Sequence, residues 1–436
     1  MRDQLKVQQE RAVLVGAVLR GEHKTNSDDA LGELTALAES AGAVIVDRFI
    51  QKVNRINPAT YIGSGKAEML AGRVKQKEGD VVIFDNDLSP AQIRELEKIV
   101  KCKVLDRSEL ILDIFATRAR TKQAKLQVEL AQLEYTYPRL TRMWSHLDTV
   151  AGAAGGTGAG AVGGIGTRGT GEKQLEIDRR LVNKRITDLK RDIAAIDKRK
   201  MREIDGRGDF YTISLVGYTN AGKSTLLNTL TGANVYVQDQ LFATLDTRTR
   251  KWTLDNGIEV LLSDTVGFVS KLPHHLVASF KATLEETVNA DLLLHVVDAS
   301  SVDAFEQIKS VESVLKELNC DQKEMVVLLN KSDSIADKAT FESVQTVFPE
   351  ALSISAKTGL NLDRLAEVIA DKVRGQHLRV RITCNQANGK LQSYLRTVGR
   401  DLTEEYFDGT VQIETTLGKN QLAQLRRLAP KEIEVL

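Results

Sequence analysis

A glycine-bounded stretch, Gly217-Tyr-Thr-Asn-Ala-Gly-Lys-Ser224, constrains the fold of this chain more than any other feature. It follows a strand-like apolar run at 211–216 and precedes a helix-like run at 225–230. Glycines between a strand and a helix let successive backbone N–H groups point at one phosphate, and the helix N-terminus adds its positive dipole. In such a loop Lys223 would reach the β- and γ-phosphates, and the Ser224 hydroxyl would bind Mg²⁺. The context of the stretch favours a nucleotide-binding α/β domain over a chance Gly-rich turn.

A second phosphate motif, Asp264-Thr-Val-Gly267, comes directly after the apolar run 258–262. Asp264 is placed to hold the Mg²⁺ shell through water, and the Gly267 amide is placed to sense the γ-phosphate. Both positions match the order of motifs in a guanine nucleotide-binding domain.

Two further motifs predict that the base is guanine. Asn330-Lys-Ser-Asp333 ends the apolar run 325–329, and Ser355-Ala-Lys357 follows the run 351–354. A carboxylate at Asp333 would accept hydrogen bonds from guanine N1–H and the exocyclic amine, which adenine cannot supply, and a polar site left unpaired discriminates strongly. The Ala356 amide would bind guanine O6. The ordered motifs predict a Mg²⁺-dependent GTPase that converts GTP to GDP and phosphate.

The hydroxyl that closes on Mg²⁺ is less closely defined. The segment 241–249 contains Thr244, Thr247 and Thr249. We favour Thr244 because two apolar residues flank it and would anchor a mobile loop. The alternative is that these threonines belong to the surface of a strand.

Two residues bear on the hydrolysis step. In Ras-like enzymes a Gln follows the glycine of the second phosphate motif and orients the attacking water, whereas here Phe268 stands at that position. We therefore expect slow hydrolysis by the isolated domain, completed by a group supplied in trans or by a rearranged loop. Asn220 would help to place an activating K⁺ against the phosphates, or it is simply a residue that tolerates turn geometry.

The predicted site has three sets of residues. The predicted catalytic residues are Lys223, Thr244 and Gly267, and the predicted Mg²⁺ ligands are Ser224, Thr244 and Asp264. The predicted nucleotide-binding residues are Gly217, Tyr218, Thr219, Asn220, Ala221, Gly222, Lys223, Ser224, Thr225, Phe242, Ala243, Thr244, Asp264, Thr265, Val266, Gly267, Asn330, Lys331, Asp333, Ser355, Ala356 and Lys357.

Composition places the chain among ordinary globular proteins. Of its 436 residues, 42% are hydrophobic and 27% are charged, with a net charge of +1, so any basic surface must be local. The three cysteines lack metal-ligand spacing, which favours a reducing compartment without disulfides. The first residues lack the apolar core of a signal peptide, and no apolar run approaches the ~20 residues that span a bilayer. We therefore expect a cytoplasmic protein without a membrane span.

The pattern along the chain predicts an α/β protein in four parts. Residues 1–105 form an N-terminal α/β domain with a largely parallel sheet, and 106–208 form a long helical hairpin. Residues 209–374 form the P-loop GTPase domain, with a mostly parallel sheet and helices on both faces. Residues 375–436 form a small α+β domain with the order of a split βαβ unit. The string Gly63-Ser-Gly-Lys66 lacks the spacing of a phosphate loop, and a strand-to-helix turn is favoured there.

The hairpin carries the second informative feature. Apolar residues recur with helical steps at 126–147 and again at 182–196, with Pro138 expected to kink or divide the first helix. Residues 149–171 between them are mostly Gly and Ala, which is typical of a flexible linker but would also suit insertion into a narrow polar crevice. Basic residues flank this loop and predict RNA contact, although a solvated helix face would carry similar charges. The predicted RNA-binding residues are Arg118, Arg120, Lys122, Lys125, Arg168, Arg179 and Arg180.

Several longer strings point to one family. They are Tyr61-Ile-Gly-Ser-Gly-Lys66, Asp85-Asn-Asp-Leu-Ser-Pro90, residues 117–132, 168–180 and 216–225, Phe242-Ala-Thr-Leu-Asp246 and Asp264-Thr-Val-Gly-Phe268. With them the chain resembles the HflX GTPases, in the Obg-related branch of translation-factor-like GTPases, over nearly its whole length. Some members have Pro-Thr after Phe-Ala-Thr-Leu-Asp where this chain has Thr247-Arg248, which leaves the choice of threonine open.

The resemblance implies a partner. Members of the family bind the large ribosomal subunit and split ribosomes under stress, with GTP favouring binding and hydrolysis favouring release. It implies contacts with rRNA and ribosomal proteins, entry of the Gly-rich loop into the peptidyl-transferase region, and a monomer off the ribosome. Ribosome storage, a role in subunit assembly and a switch acting on another protein remain alternatives. So does an ATP-dependent RNA-remodelling activity of the N-terminal part, as attributed to some members.

Overall fold

A computed structural model gives the fold of the chain. It describes residues 9–19, 31–143, 170–205, 210–232, 241–242, 247–254, 257–270, 284–335, 338–375, 377–407, 409–418, 421–422, 425, 428 and 430–436. These residues divide into two compact units. The first unit contains the described residues up to Ala195 together with Leu241, Phe242 and Ser270, and the second contains the others. The four domain boundaries predicted above stay a prediction.

The first unit is built on a four-stranded parallel sheet. Its strands are β1 (Arg11–Leu19), β2 (Val44–Val53), β3 (Val81–Phe84) and β4 (Lys103–Leu105), in the order β2-β1-β3-β4. Every residue of β3 is buried, as expected for a parallel strand covered on both faces. The helices Gly32–Ser40, Ser64–Gln76 and Pro90–Val100 lie between successive strands, and Arg107–Arg118 follows β4. The predicted α/β class of this region is confirmed.

Two long helices follow in the same stretch of sequence, Lys122–Met143 and Thr170–Asp205. Leu130 of the first helix packs with Leu189 and Ile193 of the second in a small apolar cluster. The first helix continues through Pro138 to Met143, so the proline does not divide it. Most of the predicted Gly-rich loop lies outside the described residues, and its last two residues, 170 and 171, begin the second helix instead.

The second unit contains a six-stranded sheet. Its strands are β5 (Tyr211–Gly217), β6 (Arg248–Thr253), β7 (Glu259–Asp264), β8 (Leu292–Asp298), β9 (Met325–Asn330) and β10 (Leu352–Ser353). The order is β10-β9-β8-β5-β7-β6, and every pair is parallel except β6 with β7. Its helices are Lys223–Thr231, Glu285–Asn289, Ala304–Glu317, Lys338–Val347 and Leu362–Gly375, with a 3₁₀ turn at Ser332–Ser334.

This topology positions the site. The predicted nucleotide motifs begin at or just after the carboxyl ends of β5, β7, β9 and β10. In an open parallel sheet these ends share one edge, where ligands bind. Mostly apolar strands such as β8, Leu-Leu-Leu-His-Val-Val-Asp, are buried along nearly their whole length and place that edge within the core of the sheet.

The C-terminal part forms an antiparallel sheet of β11 (His377–Asn385), β12 (Arg400–Phe407), β13 (Thr410–Gly418) and β14 (Glu432–Val435). Its order, β12-β13-β11-β14, with the helix Gly389–Val398 between β11 and β12, is that of a split βαβ unit. The second helix expected at 420–428 lies largely outside the described residues. No helix in the described part of the chain combines the length and apolar character that crossing a bilayer needs.

Candidate GTP site

The phosphate loop takes the form that its glycines predict. Gly217 and Gly222 have φ angles of 148° and 95°, which L side chains rarely adopt. A Cβ at Gly217 would lie 2.2 Å from the Val296 carbonyl oxygen, and one at Gly222 would lie 2.3 Å from Nδ2 of Asn330. Gly222 then caps the helix Lys223–Thr231, whose first N–H groups open toward the loop. The loop is therefore closely fitted to its neighbours and has no room for side chains at these two positions.

Lys223 is buried at the start of this helix. Its ammonium donates to the carbonyl oxygens of Gly217 (2.9 Å) and Tyr218 (2.7 Å). Burial lowers the pKa of Lys223 to about 8, and the charge of Asp264 opposes that shift. The lysine thus brings a desolvated cation to the loop, where it would interact more strongly with phosphate than it would in water.

Ser224 and Asp264 lie together as the metal assignment requires. The Ser224 hydroxyl donates to Oδ2 of Asp264 at 2.5 Å, and Asp264 is fully buried at the end of β7. A hydroxyl and a carboxylate are hard oxygen donors of the kind that Mg²⁺ prefers. These residues would hold a Mg²⁺ ion, which when bound would supply positive charge that stabilises the phosphates.

The motif that ends in Gly267 lies directly on the phosphate loop. Thr219 N donates to Phe268 O (2.7 Å), and Phe268 N donates to Gly217 O (3.2 Å). A Cβ at Gly267 would lie 2.8 Å from Thr219 Cα and 2.9 Å from Lys223 Nζ. The buried Thr219 hydroxyl has no hydrogen-bond partner among the described residues. A close-fitting cradle with an unsatisfied hydroxyl fits a phosphate group.

Asn330 ties the base-binding side of the site to the phosphate loop. Its Nδ2 donates to Ala221 O (2.8 Å), and its Oδ1 accepts from Ala356 N (2.9 Å). The next residue, Lys331, forms an ion pair with Asp298 at 2.6 Å. One buried amide therefore sets the spacing between the phosphate loop and the Ser355-Ala-Lys357 loop.

Asp333 projects from the 3₁₀ turn that follows β9. Hydrogen bonds from Ser355 and Ser334 lower the pKa of Asp333, so the carboxylate is ionised at neutral pH and acts only as an acceptor. An ionised acceptor suits the two N–H donors on one edge of guanine.

Comparison with known proteins also indicates a GTP-binding protein. Family models described as GTP-binding GTPase N-terminal, GTP-binding GTPase Middle Region and 50S ribosome-binding GTPase match residues 28–116, 118–207 and 212–331. The protein named GTPase HflX from Lacrimispora saccharolytica is 41% identical over 425 residues, covering 97% of both chains. The chain belongs to the HflX GTPases. The Escherichia coli GTPase HflX is 40% identical over 408 residues, covering 92% of both chains.

Among solved structures, the "crystal structure of SsGBP and GDP complex" is 25% identical with a TM-score of 0.47, covering 84% of this chain and 98% of that one. Membership of the family makes this chain a GTPase, an enzyme that binds and hydrolyses GTP. GTPases of this family generally use Mg²⁺, in agreement with the Ser224 and Asp264 geometry.

For an HflX GTPase, one buried residue near the site was not anticipated from the sequence. His295 on β8 is 1% exposed, and burial, with a contribution from Lys223, lowers its pKa to about 4. It therefore stays neutral beside the lysine. A single histidine within an apolar strand carries no motif, so only the three-dimensional structure places it here.

The candidate Mg²⁺-closing threonines are only partly located. Thr244 and the neighbouring Ala243 lie outside the described residues, so both assignments stay predictions. Thr249 is on β6, where its hydroxyl bonds Ser263 Oγ at 2.9 Å, which favours a strand role for that residue. Asn220 is exposed with a φ of 62°, the turn geometry that asparagine tolerates.

The predicted RNA-binding residues of this HflX GTPase differ in exposure. Arg120, Lys122, Lys125 and Arg180 are exposed, Arg118 and Arg179 are half-buried, and Arg168 lies outside the described residues. The ammonium of Lys66, in the Gly-Ser-Gly-Lys string, donates to the Lys52 carbonyl oxygen at 2.6 Å. This contact supports the strand-to-helix turn favoured for that string.

Proposed function

We propose that this GTPase, when loaded with GTP, binds the large ribosomal subunit and dissociates ribosomes under stress, and that GTP hydrolysis releases it. The observation that carries the proposal is the match of residues 212–331 to a family described as a 50S ribosome-binding GTPase, within a chain of the HflX family. We place the protein in the cytoplasm, as a monomer away from the ribosome.

The roles proposed for the site residues follow from the contacts. Lys223 binds the β- and γ-phosphates, Ser224 and Asp264 hold Mg²⁺ with Thr244, and Gly267 responds to the γ-phosphate through its amide. Thr219 and Lys223 occupy the space into which a side chain at Gly267 would extend, and this supports the role, because a γ-phosphate beside Lys223 would also lie close to Gly267. Asp333 and Ala356 select guanine, with Asn330 and Lys331 supporting them.

The enzyme is proposed to be slow until the ribosome activates it. Phe268 is 2% exposed and is held through its main chain by Gly217 and Thr219. Its side chain has no group that would orient a water molecule. A group supplied by the large subunit, together with K⁺ near Asn220, is proposed to complete the site.

The helical hairpin is proposed to be the ribosome-contacting element. Arg120, Lys122 and Lys125 are exposed within one turn of the start of the helix Lys122–Met143. Such a cluster suits the phosphates of rRNA, whose contacts are sequence-independent and weaken with salt.

The deciding experiment measures GTP turnover with and without purified large subunits, in matched K⁺ and Na⁺ buffers. We expect stimulation of at least about 10³-fold, the scale on which a trans-acting group accelerates other GTPases, with a larger effect in K⁺. Intact GTP binding without stimulation would instead favour a switch that acts on a protein partner.

A second experiment tests the hairpin. The triple variant Arg120→Glu, Lys122→Glu and Lys125→Glu should weaken binding to the large subunit and make the remaining binding less sensitive to salt. The control pair Lys309→Glu and Lys390→Glu also reverses exposed charges but should bind normally. Deletion of residues 151–166 should abolish dissociation of intact ribosomes, as measured by gradient sedimentation. Binding without dissociation in the undeleted protein would favour ribosome storage or an assembly role.

A further inference from the structure

The N-terminus of the helix Arg107–Arg118 gathers a buried ionic cluster that the nucleotide-binding motifs do not account for. Arg107 is 2% exposed and pairs with Asp85 (Nη1–Oδ1, 2.6 Å) and with Glu33 (Nη2–Oε2, 2.7 Å). Asp85 follows β3, Glu33 is in the first turn of Gly32–Ser40, and Arg107 follows β4 by two residues. The cluster thus forms at the carboxyl edge of a parallel sheet, the edge that α/β folds use to bind ligands.

The residue held at this edge by the cluster is Ser270. Arg107 Nη2 donates to the Ser270 carbonyl oxygen (3.0 Å) and hydroxyl (3.2 Å), while Ser270 N donates to Glu33 Oε1 at 3.2 Å. The Ser270 hydroxyl also donates to Glu33. Both main-chain groups and the side chain of one residue are therefore held by a buried ion pair. Ser270 is the third residue after Gly267, which we propose responds to the γ-phosphate.

The same helix contacts a second segment, which begins the string predicted to close on Mg²⁺. Phe115, two turns along, is 2% exposed and packs edge-on against Phe242, with ring centroids 4.6 Å apart. Phe242 begins the Phe-Ala-Thr-Leu-Asp string that contains Thr244. It is buried, with a φ of 55° that a bulky L residue adopts rarely. This aromatic contact therefore fixes the start of that string.

The residue just before Arg107 is joined to the hairpin. Asp106 caps the helix, is fully buried, and accepts hydrogen bonds from Tyr135 Oη (2.7 Å) and Arg139 Nη2 (3.1 Å) of the helix Lys122–Met143. The Arg139 guanidinium also lies over the Tyr135 ring, 3.3 Å from its centroid. Two adjacent residues thus make different contacts: Arg107 holds Ser270, and Asp106 holds the hairpin helix.

We propose that the helix Arg107–Arg118 couples the nucleotide state to the helical hairpin, with Arg107 and Phe115 positioning Ser270 and Phe242, and Asp106 positioning the hairpin. The geometry favours transmission of movement because Arg107 is buried and bound to two carboxylates. If Ser270 moves, either the helix that carries Arg107 moves with it or charged groups lose their partners. A displacement of that helix moves Asp106, and with it Tyr135 and Arg139. This inference rests on the proposed response of Gly267 to the γ-phosphate and on the hairpin as the ribosome-contacting element.

The test compares amide hydrogen exchange of full-length protein loaded with GDP or with the non-hydrolysable analogue GMPPNP. In the wild type, exchange in peptides from 122–139 and 176–199 should differ between the two nucleotides. Arg107→Lys keeps one charge but cannot bridge two carboxylates and Ser270 at once. It should reduce that nucleotide-dependent ratio at least about fivefold, the lower end of typical coupling, while both nucleotides still bind. The matched control Arg73→Lys, at the ion pair with Asp47 on the same sheet, should keep the ratio.

Two more variants keep the test decisive. Phe115→Leu removes the contact with Phe242 without touching a charge, so it applies even if Arg107→Lys destabilises the fold. Tyr135→Phe removes only the hydroxyl that reaches Asp106. If one helix carries the coupling, the Arg107→Lys, Tyr135→Phe double variant should lose little more than the larger single loss.

The outcomes separate this inference from the proposed function. A hairpin whose exchange is the same in GDP and GMPPNP, or a response that survives in both Arg107→Lys and Phe115→Leu, overturns the coupling. Stimulation of wild-type turnover by large subunits, measured on the same preparations, tests the proposed function independently. The coupling can therefore fail while subunit activation stands, and a nucleotide-responsive hairpin without activation would leave the coupling standing alone.

Discussion

The phosphate loop and the N-terminus of the helix Arg107–Arg118 both gather polar groups where a strand gives way to a helix, but they are built differently. The phosphate loop is made of main-chain groups, with Lys223 bound to carbonyls five and six residues before it. The Arg107 cluster is made of side chains, and its partners Asp85 and Ser270 lie 22 and 163 residues away.

The contrast separates a site that binds a ligand from the Arg107 cluster, which connects parts of the protein to one another. A loop of main-chain N–H groups stays available to an anion, and its glycines bring the chain close to the ligand. A buried arginine paired with two carboxylates already has its charge balanced by the protein, so it needs no small anion as a partner. The phosphate loop should therefore respond to nucleotide, and the cluster should respond to movement of Ser270. The predictions below test the ligand site first and the surroundings of the Arg107 cluster last.

The largest effect should come from Asp333→Asn. Replacing the ionised acceptor with an amide removes one guanine contact and opposes an N–H donor to guanine's own donors. We expect the preference for GTP over ATP in kcat/KM to fall by at least about 10³-fold, since sites built around substrate hydrogen bonds discriminate by 10⁴–10⁵. Parallel turnover assays with the two nucleotides measure this ratio. Asp321→Asn, an exposed position in the same unit, should leave the ratio unchanged, and an undiminished GTP preference in Asp333→Asn would remove that residue from the guanine site.

Lys223→Ala should come next. The loss of the buried cation that we assign to the β- and γ-phosphates should lower kcat for GTP by about 10²–10³-fold, the usual result of deleting one preorganised donor. Single-turnover kinetics separates this loss from weaker binding. The surface variant Lys372→Ala breaks only an ion pair with Glu324 and should turn over GTP normally. Equal kinetics in the two variants would contradict the assignment of Lys223.

A pair of glycine substitutions compares the phosphate loop with the weaker Gly-Ser-Gly-Lys string. In Gly267→Ala, the new methyl group would lie 2.8 Å from Thr219 Cα, so the motif must shift. We expect about a 10²-fold loss of turnover, typical of an ångström-scale displacement at a reacting centre. In Gly65→Ala, the new methyl group meets nothing within 4 Å, and the helix should gain up to about 1 kcal/mol in stability. A large loss of nucleotide binding in Gly65→Ala would instead favour a second nucleotide site.

The difference between these regions also decides what the sequence could predict. Spacing and flanking apolar runs were sufficient to predict Gly217 and Gly222 as loop glycines, and the structure gives both a positive φ. The same reasoning assigns Asp333 to guanine, and that assignment stays a prediction. The parallel sheets and the split βαβ order followed from apolar periodicity for the same reason. Arg107 and Glu33 could not be found, because nothing local distinguishes a buried charged residue from a solvated one at a helix start. His295 was missed because its neighbour Lys223 is distant in sequence.

The smallest effect concerns Glu109, which lies two residues after Arg107 in the first turn of the helix Arg107–Arg118. Burial raises the pKa of Glu109 from 4.5 to about 7, with repulsion from Asp106 contributing. Between pH 4.5 and pH 7 the folded protein therefore binds more protons than the unfolded chain, and its stability falls as the pH rises through that window. Above it the whole cost of the buried charge is present. Glu109→Gln keeps the shape and cannot ionise, so it should stabilise the protein by about 1–3 kcal/mol at pH 8 and by much less at pH 5.

Thermal unfolding at the two pH values measures this difference. The backbone N–H of residue 109 donates to Asp106 Oδ1 at 2.9 Å, and glutamine leaves that hydrogen bond in place, so the gain isolates the carboxylate. Glu68→Gln, at an exposed position on the helix Ser64–Gln76, should show no such dependence on pH. If Glu109→Gln stabilised the protein equally at pH 5 and pH 8, the cause would be packing rather than ionisation. A pH-dependent gain would show that the residues around Asp106 tolerate no additional negative charge, as expected where the Asp106 carboxylate is already held by Tyr135 and Arg139.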